Sequence, residues 1–204
     1  MPGRNGATEK RRLLLDAAVR VFARKGFHEA RVGDIAAEAG VAYGLLYHYF
    51  PSKDDVLECI FRENWGALIE AIELVEETED SPREQVRKVA AIVLRTWRND
   101  PDLVRVLVRE IARSPHLQQE IGELAHAFDA LERIIARGQE SGDFRPGLDP
   151  RLAAYVVYGA LEEILTGWVL GRLPDGDEDV ARAEQTVVSL LAEGLVSTSA
   201  VLTA

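Results

Sequence analysis

Apolar residues along this chain recur every three or four positions, and almost nowhere at every second position. That is the period of helices with one buried face, and it predicts an all-α fold of about nine helices. The first is expected over about 8–25, where Leu14, Ala17, Ala18, Val21 and Phe22 share a face and Gly26 supplies the stop. Two short helices follow over about 32–39 and 43–49, parted by Gly40. A long fourth helix begins after Ser52, with Asp55 completing its cap, and reaches about Glu77.

Punctuation defines the rest. Ser81-Pro82, Asp100-Pro101, Ser114-Pro115 and Asp149-Pro150 each place a capping side chain before a proline. The Ser or Asp oxygen accepts from a free first-turn N–H, and proline fits the first helical position because no helical partner needs its missing N–H. Glu84, three residues after Ser81, adds a capping box. Gly142 closes the seventh helix and Gly171 the eighth; a ninth is expected over about 178–196, with Val187, Leu190, Leu191, Gly194 and Leu195 in one stripe. The acidic "RLPDGDEDV" before it reads as a mobile loop. No repeat, low-complexity tract or metal-ligand cluster is evident.

Composition narrows the class. With 204 residues, 47% hydrophobic and 28% charged, the chain reads as a soluble globular protein with a substantial core. One cysteine, Cys59, cannot form an internal disulfide, which points to a reducing, cytoplasmic setting and to a small buried helix residue. No secretory signal is expected in "MPGRNGATEKRR". The most membrane-like segment, "LAAYVVYGALEEILTGWVLG", carries Glu162 and Glu163 at its centre, costly in lipid, so it reads as a buried or subunit-facing helix. Charge is uneven: residues 1–53 hold nine Lys and Arg against five Asp and Glu, +4, within a chain of net −10. A basic head on an acidic body suggests a polyanion partner for the head alone.

An enzyme finds little support, for there is no glycine-rich phosphate loop, GxSxG, HExxH or CxxC. His28, His48, His116 and His126 are scattered without a nucleophile or metal pattern, and no cofactor is implied. The second and third helices, joined by "AGVAYG", have instead the form of a helix-turn-helix, whose second helix enters a DNA major groove. Val32, Ile35, Ala36, Val41, Leu46 and Phe50 are expected to face inward; Tyr43 and Tyr47, four apart, share the opposite face with His48 beside them.

The segment "LLLDAAVRVFARKGFHEARVGDIAAEAGVAYGLLYHYFPSKDDVLECIF" resembles the N-terminal domain of the TetR family of transcriptional regulators. The Gly-Phe after the first helix, "IAAEAGV", "LLYHYF" and "SKDDVL" carry the likeness. The resemblance implies a DNA-binding domain over 1–53 and an effector-binding and dimerisation domain over 54–204, serving a ligand-responsive regulator of double-stranded DNA, usually a repressor. It places Tyr43 and Gly44 nearest the base edges, and Tyr47, His48 and Lys53 on phosphates. Where the family often has Ser or Thr, this chain has Arg31 and Ala42, so a charged contact replaces a hydroxyl at the first position and the second lacks one.

The same resemblance implies a homodimer through the last two helices of each subunit, forming a four-helix bundle; Gly159, Ala160 and Gly167 suit close helix approach. It also implies an effector pocket within helices four to eight. The candidates are Trp65, Trp97, Phe128, Tyr155, Tyr158 and Trp168, each of which reads equally as core, and Arg105, Arg109 and Arg113, which read equally as a solvated ridge. "IIARGQESGDFRPGLDPRLAAYVVYGALEEILTGWVL" is similar to TetR-family regulators of fatty-acid degradation, which respond to long-chain acyl-CoA. The alternative within the family is a repressor of efflux or drug response sensing an unrelated hydrophobic compound. More remote are a protein-binding adaptor and a helical enzyme.

Overall fold

A computed structural model describes the backbone of residues 3–111 and 115–195, with side chains except those of 3–5, 111, 115–125, 127 and 191–195. Among the described residues the regular structure is helical: α1 (Gly3–Lys25), α2 (Val32–Glu38), α3 (Tyr43–Tyr49), α4 (Lys53–Glu76), α5 (Pro82–Asn99), α6 (Pro101–Ile111), α7 (Pro115–Ser141), α8 (Pro150–Val169) and α9 (Asp177–Leu195). Strong helix formers such as Ala7, Glu9, Lys10 and Arg11 carry α1 back to Gly3, ahead of the expected start near Thr8.

The capping residues act as the punctuation required. Asp100 and Asp149 each accept at 2.9 Å from the backbone N–H three residues on, and Ser81 Oγ accepts from Glu84 N at 3.3 Å. Ser52 Oγ accepts from Asp55 N at 3.1 Å. The capping box at Ser81 is only half made, because the Glu84 carboxylate turns to the Arg87 guanidinium one turn along. Ser114 lies outside the described residues, as do the side chains of Leu191, Gly194 and Leu195 in the expected stripe. Gly26 and Gly40 adopt φ of 80° and 66°, the left-handed conformation that ends α1 and turns the chain from α2 toward α3.

The chain packs as two units. The first comprises Met1–Trp65 and Asp100–Gln119. Its core gathers Leu14, Ala17, Ala18, Val21 and Phe22 of α1, Ile35 of α2, Leu46 and Phe50 around α3, and Val56 and Ile60 of α4. Val32 and Val41 are only partly buried, at its edge. This unit also takes in α6, which packs along α1 and lays Leu103, Val106 and Leu107 on the same core. The packing boundaries thus differ from the division of roles drawn at residue 53.

The second unit comprises Gly66–Asn99 and Glu120–Ala204. There α5 packs against α8 and α9 and buries Val86, Val89, Ala90, Val93, Leu94 and Trp97, the last stacked on Trp168 of α8. Phe144 folds back over Gly138 of α7, where a Cβ would lie 2.1 Å from its ring, so only glycine fits. Two bidentate or near-bidentate ion pairs, Arg95 with Glu184 and Arg133 with Glu76, lie at its surface. By length and composition alone α8 could cross a membrane, but Ala154, Val157, Leu161 and Trp168 are buried within this unit.

Candidate nucleic-acid interface

The side chains of α3 divide between core and solvent. Leu46 is fully buried and Phe50, at the extended C-cap beyond the helix, nearly so, while positions 43, 44, 47 and 48 are exposed. Tyr43 is 57% exposed and Tyr47 48%, unusual for rings in a domain with a well-filled core. Their ring centroids lie 5.6 Å apart, edge to face, and their hydroxyls 3.3 Å apart. That hydrogen bond raises the proton affinity of the Tyr47 phenol. The two rings and their hydroxyls form one exposed pair on the surface of α3.

Gly44 is exposed, with no atom within 4 Å of where its Cβ would be, so backbone is bare beside the tyrosines. His48 is exposed and stands edge-on to Tyr49, 5.1 Å between centroids. Ala42 is the N-cap of α3 and gives no side-chain cap. Arg31 is exposed at the N-cap of α2, with its backbone N–H donated to Asp34 Oδ2 at 2.9 Å. The sequence-predicted residues 31, 42, 43, 44, 47 and 48 are therefore all solvent-facing on the α2–α3 element.

Lys53 is placed differently. Its ammonium donates to the carbonyls of Phe27 at 2.6 Å, Ala30 at 3.0 Å and His28 at 3.4 Å, and sits 4.3 Å from the centroid of the Phe27 ring. A lysine has three protons to give, and here the loop between α1 and α2 accepts them. In this arrangement Lys53 fastens that loop to the start of α4.

Sequence reasoning missed the residues that orient α2. Lys25 pairs with Asp34 at 2.8 Å; Arg20 and Arg24 each pair with Glu38 at 2.8 Å. These partners hold both carboxyls below their ordinary range: Lys25 leads at Asp34, and Arg20 leads at Glu38. Gly33, also unremarked, leaves room for the Tyr43 ring; a Cβ there would touch it at 3.8 Å. The spacing of basic residues on α1 was the available signal, but which carboxylates they meet depends on how α2 crosses.

The effector candidates divide between the units. In the second, Phe128 stacks on Tyr155 (4.2 Å, 10°) and meets Tyr158 edge-on at 4.9 Å. Burial, and then the charge of Glu162, pushes the Tyr158 phenol well above its ordinary pKa. Trp97 and Trp168 stack at 6.0 Å, each 3% exposed, and the Trp168 indole donates to Pro174 O at 3.1 Å, so these two are core. In the first unit Trp65 is half-buried, Arg105 pairs with Asp102 at 2.7 Å and Arg109 donates to Ala23 O at 3.3 Å. Arg113 lies outside the described residues. A cleft of about 530 Å³ in the second unit is lined by Glu73, Glu76, Glu77, Arg133 and Arg137, a charged lining unlike one an apolar ligand would take. Among the described residues no group of three or more His, Cys, Asp and Glu could hold a metal ion.

Comparison with known proteins agrees with this geometry. The profile of "Bacterial regulatory proteins, tetR family" matches residues 14–60, and that of "YsiA-like protein, C-terminal region" matches 61–194. The chain is 33% identical over 184 residues to the fatty acid metabolism regulator protein of Bacillus subtilis (strain 168), covering 89% of this chain and 93% of that protein. It superposes with TM-score 0.78 on the transcriptional regulator FadR from Bacillus subtilis in complex with stearoyl-CoA, at 32% identity, over 90% of this chain and 98% of that one. For the fatty acid degradation regulator FadR from Bacillus halodurans the values are 0.76, 33%, 90% and 98%. An exposed helix-turn-helix face, both halves matched in order and relatives that are regulators rather than enzymes lead to one assignment: the chain belongs to the TetR family and is a DNA-binding transcriptional regulator.

Proposed function

We propose that this regulator is a cytoplasmic homodimeric repressor released from its operator by long-chain acyl-CoA. The observation that carries the effector is the likeness, over nine-tenths of the chain, to a regulator solved with stearoyl-CoA. Tyr43 and Gly44 read base edges, while Arg31, Tyr47 and His48 contact phosphates; Ala42 lets the duplex approach the turn. In support, these side chains are exposed together and not engaged in the core. Phe128, Tyr155 and Tyr158 are the aromatic surface proposed to meet the effector. Arg105 and Arg109, offered for an anion, each already give one N–H inside the protein, to Asp102 and to the Ala23 carbonyl.

Dimerisation is proposed through α8 and α9. Leu152 and Val156 are exposed apolar residues on α8, Gly159 one turn further along has open space where a side chain would be, and Leu190 on α9 is 66% exposed. Effector release needs only that the ligand favour the non-binding arrangement by about 1–3 kcal/mol. Operator gel shifts titrated with stearoyl-CoA, together with its effect on the melting temperature, test the reading. Release and stabilisation are expected; saturating stearoyl-CoA that changes neither rejects acyl-CoA as the effector.

A further inference from the structure

The last turn of α4 carries Glu73 and Glu76, with Glu77 just beyond, and no basic residue. Negative charge there opposes the helix dipole, and the final carbonyls have no donors within the helix. Two other helices of the second unit make good both deficits. Gln85 of α5 is 2% exposed, and its Nε2 points into the helix end: Val75 O at 3.1 Å, Glu76 O at 3.1 Å and Thr78 O at 3.0 Å. Its Oε1 accepts from Arg137 Nη2 at 3.2 Å. The same guanidinium reaches Glu76 O at 3.2 Å and Glu76 Oε1 at 3.0 Å, while Arg133, one turn earlier on α7, grips the Glu76 carboxylate with two bonds of 2.7 Å. Arg133 foremost, then Arg137, holds that carboxyl below its ordinary range.

A buried amide with both ends engaged acts as a register pin. Sliding α4 by one residue would carry the carbonyls of Val75, Glu76 and Thr78 away from the two N–H groups of the Gln85 amide that they share, and separate the Glu76 carboxylate from two guanidinia; Val75 O would keep its bonds from Thr78. The pin is built from three helices, so no single one can shift its contribution alone.

We infer that Gln85, Arg133 and Arg137 are positioning residues of the regulatory response: α4 belongs to the first unit up to Trp65, where its Val56 and Ile60 share a core with Leu46 of α3, and to the second from Gly66, where these three residues fix its C-terminal end in one register on α5 and α7. The inference rests on the effector reading proposed above. It predicts that weakening the pin leaves effector binding intact and degrades its coupling to DNA.

The test uses the full chain and its operator. Operator Kd is measured with and without saturating stearoyl-CoA, and stearoyl-CoA Kd by calorimetry, for the wild type, Arg133→Gln/Arg137→Gln and Arg137→Lys. The arginines are about half exposed, so these variants should fold; Gln85→Met, at the buried site, is the stricter variant if it does. The double variant should keep its stearoyl-CoA Kd within about threefold and lose at least fivefold of the ratio between the two operator Kd values, with Arg137→Lys in between. Hydrogen exchange over 74–80 should quicken in the double variant. A full wild-type ratio in variants whose 74–80 amides exchange faster overturns the pin alone. A wild-type ratio of one overturns the effector reading, and the pin's part in it with it.

Discussion

Two aromatic pairs, Tyr43 with Tyr47 on α3 and Trp97 with Trp168 in the second unit, are put to opposite uses. Tyr43 and Tyr47 meet edge to face and are about half exposed, whereas Trp97 and Trp168 lie against one another with almost no surface left. Burying a ring stabilises the fold through area and close packing; leaving one exposed forgoes that gain, so it calls for a partner outside the chain. Substitutions in the two sets should therefore separate stability from recognition. Loss of stability belongs to the inner pair, and loss of operator affinity to the outer one.

The largest effect is expected from Trp168→Ala. It removes the stacking partner of Trp97 and the donor to the Pro174 carbonyl, and should destabilise the protein by about 3–5 kcal/mol in urea or thermal unfolding. The folded fraction should still bind operator. A loss below about 1 kcal/mol, within the ordinary range of surface changes, would show that the indole lies in a site able to collapse and would break the contrast.

Next comes Tyr43→Ala, expected to weaken specific operator binding by about 1–3 kcal/mol while the melting temperature and subunit count stay where they were. Gel-shift titration beside thermal unfolding reads both. Equal affinity for the operator would sink the outward role of the ring.

How much of this was legible from residues alone follows a physical divide. The starts at Ser81, Asp100 and Asp149 rest on an oxygen meeting an N–H three residues away, so they could be read locally. The outward face of α3 was legible only in part: 43 and 47 share a face by helical spacing, but 46 and 50 fall on the same stripe, and Phe50 turns inward because it lies past the helix end in extended conformation. What could not be read depends on which distant surface an element meets. Nothing in "LVRVLVRE" says that Leu103, Val106 and Leu107 pack on the α1 core, or that Gln85, a polar residue in a surface-like pattern, is buried against the end of α4. Lys53 belongs here too: its observed acceptors lie 23 to 26 residues upstream, beyond any local pattern.

Lys53→Met sharpens the comparison, because it asks whether a charged side chain at the edge of the recognition element serves the outside or the inside. Removing the ammonium leaves the Phe27, His28 and Ala30 carbonyls without it, at a cost of roughly 1–2 kcal/mol of stability. If Lys53 acts only as this fastener, the salt dependence of operator binding is unchanged. If it also neutralises a phosphate, the slope of log affinity against log salt falls by about one. Titrations at several salt concentrations distinguish the two, and a stability unchanged within error would remove the fastening role.

The smallest effect is expected at Tyr47→Phe. The change keeps the ring, its edge-to-face contact with Tyr43 and its helix position, and deletes one hydroxyl that lies 3.3 Å from the Tyr43 hydroxyl. Both oxygens are solvent-exposed, so water replaces the lost bond and stability should move by no more than about 0.5 kcal/mol. Operator affinity is the informative reading. A phosphate contact through that hydroxyl is one hydrogen bond from a neutral donor to a charged acceptor, worth about 1.5 kcal/mol at a site open to water, and its loss should weaken binding similarly on operator and random DNA. A loss confined to the operator would mean that the two tyrosines act as one base-reading unit, with Tyr47 holding the Tyr43 hydroxyl in place. No loss on either DNA would leave the recognition surface to Tyr43 and its neighbours.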